Sequence, residues 1–204
     1  MKDEGSIKFN CHWIEEEPLD DACIEKLNQW RERLYTLHLI GVTEDGIGYG
    51  NMSLRFEEDQ FIITGSGTGR LEKLSSRHYT KVTDYNFGQN SVTTAGPIIA
   101  SSESLTHAAI YKTKKDINAV FHVHHHALWK KLLKTLPSTA KDILYGTPEM
   151  AIEVIRLIQE TKQAGINIFA MAGHEDGILA FGQDPDEAGR ILLSHYLLPP
   201  PPPA

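Results

Sequence analysis

Cysteine is scarce in this chain, since only Cys11 and Cys23 occur among its 204 residues. Two cysteines do not build the disulfide framework of a secreted protein, so we expect a chain that works in the reducing cytoplasm. The sequence also has no apolar run of about 18 residues, and a transmembrane helix is therefore not expected. Its first residues, Met1 to Gly5, lack the apolar stretch of a signal peptide, which again favours a cytoplasmic protein with no membrane partner.

Positively charged side chains are also fewer than negatively charged ones. The chain has 20 lysines and arginines against 27 aspartates and glutamates, which gives a net charge of -7. No basic stripe offsets this balance, so a sequence-independent nucleic-acid binder is not expected. The glycine-rich segment 65–69 is not followed by Gly-Lys-Ser/Thr, and no G-x-G-x-x-G links a strand to a helix. What remains is a chain of ordinary globular composition, long enough for one domain with a sizeable core.

Apolar periodicity predicts helices and strands that are interspersed along the chain without strict alternation. Helices are predicted at about 24–37, 103–114, 128–136, 148–162 and 184–196. Strands are predicted at about 52–56, 60–64, 79–86, 118–124, 166–170 and 178–181. Several strands are close enough to pair as hairpins, so the fold class is α/β: one domain over 1–204 with a mixed or mainly antiparallel sheet covered by helices. We expect an irregular lead-in at 1–17 and a mobile Pro-rich tail at 199–204.

Histidines form the most informative pattern in the sequence. His122 and His124 lie in the predicted strand Val120-Phe121-His122-Val123-His124, where residues two apart point to the same face. His174 lies in a glycine-flanked loop between two apolar strands. An isolated H-x-H pair is often incidental, but a third imidazole from a distant segment predicts an open transition-metal site, with Zn2+ as the default ion and cobalt, manganese or iron as alternatives.

Glu103 follows Ser101 and Ser102 at the start of a predicted helix, which either serine could cap. The helix dipole alone favours a glutamate in a first turn, so its position has a purely structural explanation. Because the helix directly precedes the histidine strand, the chain can also fold Glu103 back to the metal. There it could be a fourth ligand or a general acid/base.

Glycine-rich turns are the third element, because exposed backbone N–H groups and hydroxyls can bind an anion. Gly-Ser-Gly loops are also common hairpin connectors, so this signal is weak by itself. The candidate anion contacts are Asn51, Ser66, Gly67, Ser101 and Ser102.

In this order, the motifs resemble the class II aldolase/adducin family. The matching stretches are Gly50-Asn51-Met52-Ser53, Ile63 to Gly67, Ser101-Ser102-Glu103 with His107, Val120 to His124, Gly146-Thr147 and His174 to Gly182. They span about residues 25–195, and the ordered set is far more specific than any single motif.

The resemblance implies a central antiparallel sheet between helix layers, in a homotetramer with sites between subunits. It implies a zinc-type ion held by His122, His124 and His174, an acid/base at Glu103, and a role in carbohydrate metabolism. It also implies a substrate-phosphate pocket formed by Gly50, Asn51, Ser66, Gly67, Ser101 and Ser102. The implied activity is an aldolase that cleaves a small phosphorylated ketose through a metal-stabilised enediolate.

Two departures from the family pattern affect the substrate rather than the metal. The segment between His124 and Gly146 is short, and Tyr145 is not assigned to the tyrosine that relatives contribute across the subunit boundary. The usual His-Gly is replaced by His174-Glu175-Asp176-Gly177, which adds two acids beside the metal. Alternatives on the same scaffold are dehydration of a methylthioribulose phosphate, epimerisation, and a non-catalytic interaction module as in adducin.

Overall fold

The computed structural model describes residues 5–197, so the tail predicted at 199–204 lies outside the described residues. Its α-helices are α1 Glu25–Thr36, α2 Ser104–Thr113, α3 His126–Thr135, α4 Pro148–Thr161 and α5 Pro185–Leu197. Its strands are β1 Asn10–Ile14, β2 Gly41–Val42, β3 Gly48–Tyr49, β4 Asn51–Arg55, β5 Phe61–Thr64, β6 Tyr79–Asn86, β7 Ser91–Ala95, β8 Ala119–His124, β9 Ile168–Ala170 and β10 Gly177–Gly182. In this part of the chain, no helix is both long and apolar enough to cross a bilayer.

One sheet organises the domain, with the strand order β1-β7-β6-β5-β4-β8-β10-β9. The β1–β7 pair is parallel, and every other neighbouring pair is antiparallel. Strands β2 and β3 form a separate small hairpin. The predicted α/β fold with a mainly antiparallel sheet is therefore confirmed.

Helices cover both faces of this sheet, because successive strand residues point to opposite sides. Helices α2 and α4 pack in one apolar cluster with sheet residues such as Val120 and Leu179. Helices α1, α3 and α5 pack in a second cluster with Phe121 and Ile178, the chain neighbours of that first pair. His122 is two residues from Val120, so it faces the α2 and α4 side of the sheet.

The lead-in predicted at 1–17 is not irregular throughout, because β1 occupies Asn10–Ile14 and pairs in register with β7. Most side chains of β1 are exposed, so the strand has no alternating apolar signal in the sequence. Its partner β7 was not predicted either. Both strands are held by backbone hydrogen bonds at the sheet edge, which the side-chain pattern does not report.

The start of α2 also differs from the prediction. Its N-cap is Glu103, which makes no side-chain cap hydrogen bond, and neither Ser101 nor Ser102 occupies that position. The Ser101 carbonyl instead accepts the backbone N–H of Ser104 at 3.1 Å. The Glu103 carboxylate is thereby left to interact outside its own helix.

Candidate metal centre and anion pocket

Three buried imidazoles converge at the C-terminal end of the interior strand β8. His122 and His124 extend from the same face of β8, and His174 lies in the loop between β9 and β10. The Nε2 atoms of His122 and His124 are 2.9 Å apart. One ring nitrogen from each of the three histidines lies within 4.8 Å of the others. This is the arrangement predicted for the metal ligands. His125 caps α3 and His126 begins it, so neither continues the strand.

The Glu103 carboxylate lies against this cluster. Its Oε2 is 3.1 Å from Nε2 of His122, and its Oε1 is 3.1 Å from Nδ1 of His174. The Asn51 amide donates to Oε2 at 3.3 Å. This contact follows from the sheet register, which pairs Asn51 of β4 with His122 of β8. Glu103 therefore touches two of the three imidazoles without leaving the start of its helix.

The chemistry of this donor set fits a divalent transition metal. Burial is the main reason that the pKa of His122 lies well below its usual range, and the neighbouring His124 and His174 lower this pKa further. His122 is thus a neutral imidazole, the form that binds a metal ion. Oε1 of Glu103 is buried and, although Nδ1 of His174 lies 3.1 Å away, it accepts no hydrogen bond of normal geometry from the described residues. A buried carboxylate beside a neutral imidazole is costly unless a cation compensates its charge.

A second polar layer connects β4 to α2 behind the carboxylate. The Ser53 hydroxyl lies 2.6 Å from Nδ1 of His107 and 2.7 Å from the Tyr111 hydroxyl. Residues 103, 107 and 111 are four apart and share one helix face, and 51 and 53 share one strand face. Burial lowers the pKa of His107 to about 3 and keeps this imidazole neutral. The sequence motif includes His107 without indicating its role. In the structure, the hydrogen bond between His107 and Ser53 connects α2 to β4.

The predicted anion contacts line one pocket beside Glu103. Its lining includes Gly50, Asn51, Ser66, Gly67, Ser101 and Ser102, and also Gly5, Gly48, Gly65, Thr68 and Gly69. Gly50 has φ +79, and a Cβ there would lie 2.8 Å from Cγ1 of Ile40, so only glycine fits this turn. Glu103 and Asn51 line the pocket and also contact the histidine cluster or its carboxylate, so the pocket lies next to the candidate metal centre.

Two residues outside the predicted set complete the surroundings. The Tyr145 ring stacks on His174 with centroids 4.4 Å apart, although its sequence position next to Gly146 was no reason to select it. Asp176, one of the two acids after His174, bonds through Oδ1 to Nδ1 of the exposed His126 at 2.6 Å. An open cleft lined by Tyr49, His124 and Asp176 adjoins the cluster from this side.

The sequence profile described as Class II Aldolase and Adducin N-terminal domain matches residues 43–194. The chain belongs to the class II aldolase and adducin family. This family includes divalent-metal-dependent enzymes and also non-catalytic members. The matched region contains Glu103 and the three histidines, whereas β1 and the residues before it lie outside the match.

Solved structures of the class II aldolase fold agree with this family assignment. An L-fuculose 1-phosphate aldolase has a TM-score of 0.64 at 22% identity, and the match covers 90% of this chain and 91% of that chain. The L-fuculose-1-phosphate aldolase from Thermus thermophilus has a TM-score of 0.56 at 21% identity, covering 88% and 97%. A sugar-phosphate aldolase from Thermotoga maritima has a TM-score of 0.63 at 16% identity, covering 86% and 91%. No curated protein sequence matches the chain. At these identities the likeness shows a shared fold.

Proposed function

We propose that this chain is a divalent-metal-dependent aldolase that cleaves a small phosphorylated ketose. The observation that carries the proposal is the convergence of His122, His124 and His174 on one point, with the Glu103 carboxylate against them. An anion pocket adjoins this point and suits the phosphate of the substrate. Zn2+ is the proposed ion, because three imidazoles and an open position are typical of catalytic zinc.

The proposed roles follow from the position of each group. When bound, the metal would act as a Lewis acid that stabilises the negative charge left on the ketose when its carbon–carbon bond breaks. Glu103 is the proposed acid/base, and the Asn51 amide orients it by donating to Oε2. The hydroxyl groups of Ser66 and Ser102 and the backbone N–H of Gly67 would hold the phosphate, so that the reacting carbons lie beside the carboxylate.

Metal analysis tests the first half of this proposal. We expect one zinc per chain after incubation with zinc and removal of the excess ion. His124→Ala should lower this occupancy, because two imidazoles hold the ion less well than three. His12→Ala is the matched control. His12 lies in the edge strand β1, which is separated from β8 by four strands of the sheet, β7, β6, β5 and β4. A parent protein that holds no zinc under these conditions would refute the enzyme proposal and favour a non-catalytic module.

Turnover tests the second half. A panel of ketose 1-phosphates is assayed for dihydroxyacetone phosphate release, and products are also checked for an intact carbon chain. We expect Glu103→Gln to keep the zinc and lose turnover, whereas Glu149→Gln on the exposed surface of α4 keeps both. Equal turnover in Glu103→Gln and the parent would remove Glu103 from the mechanism. An unbroken carbon chain would instead indicate a dehydratase or an epimerase on this scaffold.

A further inference from the structure

A buried arginine supports one wall of the anion pocket. Among residues 5–197, Arg31 of α1 is the only lysine or arginine that is buried, with 1% of its surface exposed. Its guanidinium donates to the backbone carbonyls of Thr68 at 3.2 Å and Gly69 at 3.1 Å, and also to that of Glu72. Thr68 and Gly69 both line the pocket. The guanidinium is therefore bonded to the backbone that forms this wall.

The donors of Arg31 serve backbone oxygens and no acidic side chain. In the described part of the chain, no carboxylate forms a salt bridge with Arg31. Burial lowers the pKa of its guanidinium, but arginine keeps its charge in proteins. Hydrogen bonds from charged donors are roughly twice as strong as those between neutral groups. The loop that contains Thr68 and Gly69 is thus held more firmly than by neutral hydrogen bonds.

The direction of these carbonyls decides which end of each peptide group faces away from Arg31. The C=O and N–H of a trans peptide unit point in opposite directions. Because the Thr68 carbonyl points at Arg31, the N–H of Gly69 points away from it. The Gly69 nitrogen lies 3.3 Å from the position that a Cβ at Gly48 would take, and Gly48 lines the same pocket. The N–H end, which attracts anions, thus lies on the side of the wall that Gly48 shares.

We propose that Arg31 is a positioning residue for phosphate binding, which holds the Thr68 and Gly69 carbonyls away from the pocket. The guanidinium does not itself contact the phosphate. Without it, these carbonyls could turn into the pocket, where the Glu103 carboxylate already repels an anion. This inference rests on the proposed function, because it takes the pocket as the phosphate site. Arg31 also lies outside residues 43–194, which match the family profile.

A purely structural role for Arg31 is the competing explanation, because its guanidinium also lies over the Tyr35 ring, 4.7 Å from the centroid. Arg55 offers a matched control with the same chemistry. Its guanidinium donates to the carbonyls of Ile117 and Tyr111, both at 2.9 Å, and lies 4.8 Å from the centroid of the Tyr111 ring. None of these three residues lines the anion pocket. Replacing Arg55 therefore removes a comparable set of contacts elsewhere in the domain.

Inorganic phosphate is the probe, titrated by calorimetry at low salt into the full chain after zinc incubation, and zinc affinity is measured on the same samples. Arg31→Gln removes the charge and keeps an amide that can donate to one carbonyl. We expect it to weaken phosphate binding by about tenfold, as for the loss of a charged hydrogen bond, with parental zinc affinity. Arg31→Lys keeps the charge without the planar fork, so a loss of about threefold is expected. Arg55→Gln should bind phosphate like the parent, and Ser66→Ala, in the pocket lining, should weaken binding.

The outcomes separate this inference from the proposed function. If Ser66→Ala weakens phosphate binding and neither Arg31 variant does, Arg31 is structural and the pocket keeps its role. If Arg31→Gln and Arg55→Gln weaken binding equally, or if Arg31→Gln loses zinc together with phosphate, the effect is a general loss of structure and the inference is overturned. If the parent binds no phosphate, the anion pocket and the role of Arg31 are both overturned, and zinc occupancy still decides the metal centre independently.

Arg31→Lys decides the question if Arg31→Gln does not fold. A loss of phosphate affinity in Arg31→Lys at parental zinc affinity supports the positioning role, because the metal centre then reports an intact domain. Parental affinity for both phosphate and zinc in Arg31→Lys would overturn it.

Discussion

Gly173 lies next to the third imidazole and has no room for a side chain. A Cβ at this position would lie 1.9 Å from the backbone oxygen of Ile143 and 3.1 Å from that of Ala140. Both obstacles are backbone atoms, so no rotamer change relieves the contact. We therefore expect Gly173→Ala to push apart the loop that carries His174 and the loop that leads to Tyr145.

The size of this displacement sets the size of the effect. Real Cβ contacts do not fall below 3.0 Å, so the two backbones must separate by about 1 Å. Metal–ligand distances tolerate only about 0.2 Å, so His174 cannot stay in place if its loop takes up the shift. We expect zinc affinity to fall by roughly 10- to 100-fold, comparable to losing an interaction that orients a ligand. Overpacking should also lower the free energy of unfolding by about 1–3 kcal/mol.

Zinc affinity is measured by competition with a chromophoric chelator, and folding by urea unfolding of the same samples. Gly88→Ala is the matched control, because the nearest atom to a Cβ at Gly88 is the Asn86 side-chain oxygen at 3.5 Å. This control should bind zinc like the parent. A folded Gly173→Ala protein with parental zinc affinity would show that the clash is relieved without moving His174, and the reasoning would be wrong.

Two further predictions concern the polar layer between β4 and α2. Ser53→Ala leaves buried groups of His107 and Tyr111 without their hydroxyl partner, so urea unfolding should show a loss of about 1–3 kcal/mol. A parental midpoint would contradict this. Burial lowers the pKa of His107 to about 3, against about 6.5 in an unfolded chain, so only the unfolded state takes up this proton between those values. Stability from the neutral imidazole is thus complete above pH 6.5 and is lost as the pH falls toward 3, by up to about 1.4 kcal/mol per pH unit. His107→Phe should flatten the slope of unfolding free energy between pH 7 and 4.5, and parallel slopes would refute the assignment.

The sequence predicted the candidate site best where the functional groups lie close together in the chain. His122 and His124 are two apart in a strand, and this alone places both imidazoles on one face. In the glycine and serine motifs, the backbone N–H and hydroxyl groups that could bind an anion also lie within a few residues of one another. The helix before the histidine strand was also predictable, although its cap was assigned one or two residues too early, because Glu103 takes a position that serines usually favour.

The edge of the sheet was not predictable in the same way. Strands β1 and β7 are short, partly exposed and polar, so no alternation of apolar side chains marks them. Their pairing depends on backbone hydrogen bonds between segments far apart in the chain. For the same reason, no sequence pattern indicates that Gly5 lines the pocket beside Glu103.

By itself, the sequence determined the kinds of groups available: paired imidazoles, a carboxylate at a helix start, and turns able to bind an anion. Only the tertiary structure decided which of them meet. The register of β4 against β8 sets Asn51 opposite His122, and loop packing brings Tyr145 onto His174. Such contacts join residues that are distant in the chain, and they arise from burial and strand pairing across the whole domain, which no local spacing records.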